Sequence, residues 1–204
     1  MKYALGRCVY RKLKVGHAGT LEPRATGVLL VGLGRATKRV DELQAERKEY
    51  VTEIMLGATT PSFDLEHPID ATYPYEHITR DMVESALGEM SGERLQMPPI
   101  YSAKKIDGQR AYEYAREGTE VELKKSLITI YEMEILSFEP PVLRLRIECS
   151  KGTYIRSIAM ELGEKLGSGA HLVSLRRTRS GGYRADEAFS MEKVSEMLAE
   201  MKQK

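Results

Sequence analysis

The sequence predicts an α+β protein, a single domain with a mixed, largely antiparallel central sheet flanked by helices. Three observations carry this. Ile128 to Leu136 and Val142 to Glu148 both alternate apolar and charged residues, and Glu139-Pro140-Pro141 between them has the composition of a hairpin connection. Helical periodicity occurs in separate stretches, most plainly Thr153 to Leu166. The 204 residues, 42% of them hydrophobic, suffice for one good core, and no internal repeat, low-complexity stretch or long linker divides them.

Taken in order, Tyr3 to Leu13 reads as a basic helix with Leu5, Val9 and Leu13 on one face. Val28 to Val31 is a short apolar run suited to a buried strand, and Ala36 to Arg47 is helical, with Ala36, Val40 and Leu43 in line. Glu49 to Leu56 is a strand with Tyr50, Thr52, Ile54 and Leu56 on one side, leading into a polar loop, Gly57 to Asp64. The next helix starts at Ile78 to Asp81, with Thr79 as N-cap and Met82, Ala86 and Leu87 inward, and Ser91-Gly92 ends it. Pro98 to Lys105 is a stiff connection to a helix over Gln109 to Arg116. After the strand pair, the helix Thr153 to Leu166 turns Ile155, Ile158, Ala159, Leu162 and Leu166 inward and stops at Gly167-Ser168-Gly169. A strand from His171 to Thr178 brings Arg176, Arg177 and Arg179 to its end, and a helix over Met191 to Met201 closes the chain.

Composition excludes several classes. No apolar run reaches transmembrane length, and Met1 to Lys14 is too basic for a secretory signal, so the chain reads as soluble and cytoplasmic. Cys8 and Cys149 lack the number for a disulfide framework and the spacing for a metal site. The net charge of +1 hides a strong segregation. Residues 1–40 hold nine Lys or Arg against one acid, residues 41–143 ten against twenty-one, and residues 144–184 nine against three. If folding joins the two basic segments, they form a face suited to phosphates.

Glu22 is the one acid of the first forty residues. It stands in VGHAGTLEPRATGVLLVGLGRATK, Val15 to Lys38, where Gly16, Gly19 and Gly27 supply backbone freedom and Pro23 fixes the chain just after the carboxylate. The string GHAGTLEPRATGVL resembles the GHxGTLDPxATGVL signature of the TruB-type tRNA pseudouridine synthases. Lys48-Glu49-Tyr50, QMPPIYSAKKIDGQRAYEYAREG, CSKGTYIRSIAMELGEKLG and GAHLVSLRRTRSG resemble further motifs of that family in the right order, so the resemblance spans roughly Gly6 to Tyr183.

The resemblance implies a reaction that breaks a glycosidic C–N bond and reattaches the base through carbon without redox change, so neither a metal nor a nucleotide cofactor is expected. It implies Glu22 as nucleophile at the family's Asp position, Arg156 as its guanidinium partner, and Tyr50 stacked on a base extracted from its stack. His17, Tyr154 and Leu175 fall at substrate-contacting positions, and Lys38, Arg176 and Arg177 are candidates for phosphates. The expected partner is the T-arm of tRNA, with uridine 55 of the T-loop as target, and the expected state is a monomer. A cation at a helix start opposes the helix dipole, so Arg156 also calls for a nearby anion on physical grounds alone.

Two departures shape these expectations. Glu is one methylene longer than Asp, and a misplacement of about 1 Å can cost about a hundredfold in rate if the pocket around it is unchanged. The family's N-terminal strand and KPxGxTS-like segment are not found, nor is the small RNA-binding domain that follows in many bacterial members. The expectation is therefore one catalytic domain over residues 1–204, truncated at its N-terminus relative to the family and without that C-terminal domain. A rival reading is a non-catalytic tRNA-binding or folding module. A third, a carboxylate-pair glycoside hydrolase, needs a second acid, for which Asp64 is the candidate.

Overall fold

Alternation buries one face of a strand, and the stretch Thr52 to Leu56 shows it: Thr52, Ile54 and Leu56 are buried while Glu53 and Met55 are part-buried; Lys48, on the same side, is buried too, and Tyr50 is part-buried. The computed structural model describes residues 13–102, 104–106, 109–111, 113–114, 119 and 123–202. In chain order its elements are β1 (Val15–His17), β2 (Thr26–Gly27), β3 (Val31–Leu33), a 3-10 helix (Gly34–Arg39) running into α1 (Val40–Ala45), β4 (Lys48–Leu56), β5 (Ala58–Thr59) and β6 (Ala71–Thr72). There follow α2 (Arg80–Met90), β7 (Gly92–Gln96), β8 (Lys105–Ile106), β9 (Gln109–Arg110), β10 (Ser126–Glu139), β11 (Val142–Cys149), α3 (Ile155–Lys165), β12 (Ala170–Ser180), β13 (Tyr183–Arg184) and α4 (Met191–Lys202).

The chain forms two compact units, Tyr50–Arg176 and a discontinuous one made of Met1–Glu49 with Arg177–Lys204. Both crossings fall inside strands, β4 and β12, so no linker composition marks them.

In Tyr50–Arg176 the strand order is β12-β4-β11-β10-β7. The hairpin of β10 and β11 is antiparallel, with Met133 opposite Ile147 and Ile135 opposite Leu145. Its core face (Ile128, Ile130, Leu143, Leu145, Ile147) is buried, and α2 packs against both β10 and α3. On α3 all five residues expected inward are buried. On α2 the buried set is Val83, Ala86, Leu87 and Met90, whereas Met82 is exposed. Thr79 caps α2 as expected, accepting from the Met82 amide at 3.3 Å, and the i, i+3, i+4, i+7 stripe that suits this start begins at Val83.

Two elements differ from the sequence reading. The stretch GERLQ forms β7, a sheet-edge strand antiparallel to β10, although it carries one large apolar residue. Gln109 and Arg110, expected to open a helix, instead pair with Lys105 and Ile106 as a hairpin; Asp107-Gly108 between them is a strong hairpin sequence. Helical geometry starts at Ala111 and includes Glu113 and Tyr114.

In the discontinuous unit, β1 pairs antiparallel with β3, His17 opposite Val31. The strand expected over Val28 to Val31 is shifted to Val31–Leu33, because Val28 bonds to Arg177 and leaves the run. The helical stretch ends at Ala45, two residues early. The buried Lys48 ammonium donates to the carbonyls of Leu43 (3.3 Å), Gln44 (2.8 Å) and Glu46 (2.6 Å), closing off the last turn as a cation at a helix C-terminus does. The basic helix expected over Tyr3 to Leu13 lies outside the described residues, Leu13 excepted.

Replacing Ile147, fully buried in β11, by Ala should lower unfolding stability by about 2–5 kcal/mol. A denaturant titration checks this, with the midpoint falling and the slope unchanged.

Candidate active site

The loop that carries Glu22 is shaped by backbone constraints before any side chain acts. Gly19 and Gly27 adopt φ of +93° and +105°, a region that residues with a Cβ rarely occupy. At Gly27 a Cβ would also collide with the Arg177 backbone, so the main chains pass in contact there. The Ala25 amide donates to the Glu22 carbonyl at 2.9 Å, closing a turn over Pro23, and Glu22 itself is part-buried. The Arg177 guanidinium is buried within this loop. Its Nε donates to the Val28 carbonyl at 2.8 Å, and its terminal nitrogens to Thr20 at 3.5 Å and Gly19 at 3.4 Å. The phosphate role expected for Arg177 does not fit a side chain that is 1% exposed and directed at backbone carbonyls.

In the same unit His17 is exposed on β1, and Arg35 and Lys38 are exposed on the 3-10 helix, where phosphates can reach them. Part of the expected basic face is internally balanced: Arg39 bridges Glu42 at 2.9 Å, Arg184 bridges Asp186 at 3.2 Å, and Arg179 lies 3.7 Å from Glu49. The Glu42 carboxyl is held below the usual range by its hydrogen bond to Arg39, and Asp186 likewise by Arg184.

The unit Tyr50–Arg176 contains a buried charge pair. Arg156, in the first turn of α3, is 1% exposed; its terminal nitrogen lies 3.4 Å from Asp64 Oδ2 and donates to the Ser62 carbonyl at 3.4 Å. Asp64 is the anion that a cation at a helix N-terminus requires. Its other oxygen accepts from the Ser62 hydroxyl at 2.6 Å and from the Glu66 amide at 2.9 Å. A carboxylate met by two donors and a guanidinium works as an acceptor, not as the proton donor a glycoside hydrolase would need. The turn that presents it is itself fixed. Phe63 takes φ +62°, its amide donates to the Thr60 carbonyl at 3.1 Å, its carbonyl accepts from the Leu172 amide at 2.9 Å, and Thr60 Oγ1 donates to the Asp64 carbonyl at 2.7 Å. A left-handed Phe persists only where its surroundings hold it.

Tyr154 is the residue before α3, and Gln96 at the end of β7 fixes it from both sides. The Gln96 amide donates to the Tyr154 carbonyl at 3.0 Å and accepts from its N–H at 2.8 Å. Ser157 adds a bond to the Met97 carbonyl at 2.8 Å. Neither Gln96 nor the pairing role of Asp64 was evident in sequence; both depend on contacts between distant stretches. Tyr50 lies part-buried at the start of β4, with Leu175 buried and Arg176 exposed on the neighbouring strand β12; Thr52 Oγ1 bonds the Ser174 carbonyl at 2.7 Å between these two strands. Among the described residues, no group of three or more His, Cys, Asp or Glu side chains is placed to hold a metal ion.

Comparison with known proteins identifies the family. Residues 7–155 match the family described as TruB family pseudouridylate synthase (N terminal domain), and residues 156–204 match the tRNA pseudouridylate synthase B C-terminal domain. The chain belongs to the TruB family of pseudouridylate synthases. It is 54% identical over 198 residues to tRNA pseudouridine synthase B of Parabacteroides distasonis, covering 97% of this chain and 84% of that protein. The Bacteroides fragilis protein of the same name is 55% identical over 192 residues, covering 94% of this chain and 82% of that protein. Among solved structures, a Cbf5-Nop10-Gar1 complex is similar with TM-score 0.67 and 30% identity, and an H/ACA RNP bound to a substrate RNA containing 2'-deoxyuridine with 0.64 and 28%. The chain covers 45% and 44% of those two chains, and 90% of it is matched in each.

Gln96→Leu should leave the Tyr154 N–H and C=O without their partner and cost about 1–3 kcal/mol. Faster amide exchange at Tyr154, with the β10–β11 hairpin unchanged, checks it.

Proposed function

We propose that this chain is a tRNA pseudouridine synthase that isomerises uridine 55 of the T-loop. The observation that carries the reading is the buried Arg156–Asp64 pair at the start of α3, beside Tyr154, in a chain that shares more than half its residues with proteins named tRNA pseudouridine synthase B. In the reaction the N1–C1′ bond of uridine breaks, a C5–C1′ bond forms, and a hydrogen is lost from C5 and gained at N1. The balance is closed without oxidant or reductant. A carboxylate nucleophile, a fixed guanidinium and a pocket for an extruded base are the parts such a reaction requires.

In this reading Glu22 is the nucleophile and Arg156 the guanidinium. Tyr50 stacks on the extruded base, and His17, Tyr154 and Leu175 border the nucleotide. Lys38 and Arg176, both exposed, hold phosphates, and the affinity for RNA falls steeply with added salt. The protein works as a cytoplasmic monomer on the T-arm. No helix among the described residues is long and apolar enough to cross a membrane.

Glu22 at the family's Asp position favours a second reading, a tRNA-binding module without turnover. An unmodified T-arm transcript separates the two. Multiple turnovers at the T-loop uridine support the synthase; salt-sensitive binding without product, at stoichiometric as well as catalytic protein, supports the module. In a pocket shaped for the shorter side chain, Glu22→Asp should raise the rate by about a hundredfold, and Glu22→Gln should abolish product while leaving RNA affinity intact.

A further inference from the structure

We infer that Arg177 is the positioning residue of the loop that carries Glu22, and that it governs the chemical step and not RNA affinity. The inference rests on the function proposed above. The span Gly19–Val28 leaves the β1 region and returns toward β3, and one residue grips both of its ends. At the outgoing end, the Arg177 guanidinium donates to the carbonyls of Gly19 and Thr20. At the returning end, Nε donates to the Val28 carbonyl at 2.8 Å, and the Arg177 carbonyl accepts from the Val28 amide at 2.9 Å. The contact at Gly27 leaves no room for a Cβ, so the returning strand is seated against Arg177 as well.

The planar guanidinium suits this task because its donors diverge in a fixed fork, whereas an ammonium on a flexible stem is a single point of attachment. Burial removes the alternative. A side chain with 1% exposure has its donors on backbone carbonyls, not on solvent or a phosphate. A nucleophile has to be held within about 0.5 Å of its productive position, and a loop of this length reaches that precision only when its ends are fixed. Inside the span, Pro23 and the Ala25–Glu22 turn carry the constraint on to the carboxylate. The neighbouring Arg176, exposed on the same strand, is free of this duty and is the member of the pair that can meet RNA.

The test compares Arg177→Lys and Arg177→Met in the full chain by three measurements: amide exchange, pseudouridine formation at saturating T-arm transcript, and the salt dependence of binding. In both variants exchange should quicken across residues 19–28 while the β10–β11 hairpin keeps its protection. The rate at saturation should fall about a hundredfold, with the salt slope of binding unchanged. A salt slope reduced by about one phosphate contact, with the saturated rate preserved, would make Arg177 an RNA ligand and overturn the inference. So would unchanged exchange over 19–28, a quickened loop with an unchanged rate, or loss of protection throughout both variants, since the arginine would then hold the entire fold. If the unaltered protein forms no pseudouridine, the proposed function fails, and exchange together with the salt slope still decides what Arg177 holds.

Discussion

A buried guanidinium imposes more on a fold than any apolar side chain, because it has to be matched by charge and by acceptors where it lies. Arg156 is such a group, and much of the unit Tyr50–Arg176 is arranged in answer to it. Asp64 supplies the charge and Ser62 a carbonyl. To present them the chain makes a tight turn with Phe63 in a left-handed conformation, and that turn is tied to β12 through Leu172. His171, the next residue on β12, bonds the Ala58 carbonyl at 3.0 Å and secures the start of the same loop. The helix start itself is held by Gln96 from the sheet edge. One cation thus links a helix, a loop and two strands that are far apart in sequence.

Three arginines of nearly identical sequence character have three different fates. Arg156 is buried against a carboxylate, Arg177 is buried against main-chain carbonyls, and Arg176 is exposed. Side-chain chemistry does not distinguish them; position on an element does. Arg177 alternates with Leu175 and so points to the buried side of β12, and Arg176 points away. Their contacts divide along the same line: one arginine meets a carboxylate, one meets main-chain carbonyls, and one is open to solvent.

That parity was available in the sequence, since the run Leu175-Arg176-Arg177 already alternates, but a cluster of arginines reads as solvated until the strand is placed. The larger elements were legible because their periodicity is unambiguous: the β10–β11 alternation, the five-residue stripe of α3 and the Thr79 cap of α2 all correspond to observed features. What failed to show were features set by distant partners. β7 has almost no apolar pattern because an edge strand needs little, and Gln109–Arg110 have helix-favouring side chains overridden by an adjacent hairpin. The Glu22 motif was legible through resemblance, whereas the Asp64 pairing joins residues separated by nearly half of the chain.

The discontinuity of the unit formed by Met1–Glu49 and Arg177–Lys204 bears on how the protein comes into being on the ribosome. Residues 50–176 form an uninterrupted unit and emerge whole before Arg177–Lys204, so their hairpin and helices have partners at once. The loop around Glu22 is made early, yet the arginine that grips its two ends is translated some 150 residues later. During elongation the loop around Glu22 therefore exists without its clamp. Nascent chains halted short of Arg177 contain the Gly19–Val28 span but not the guanidinium that bonds the carbonyls at both of its ends.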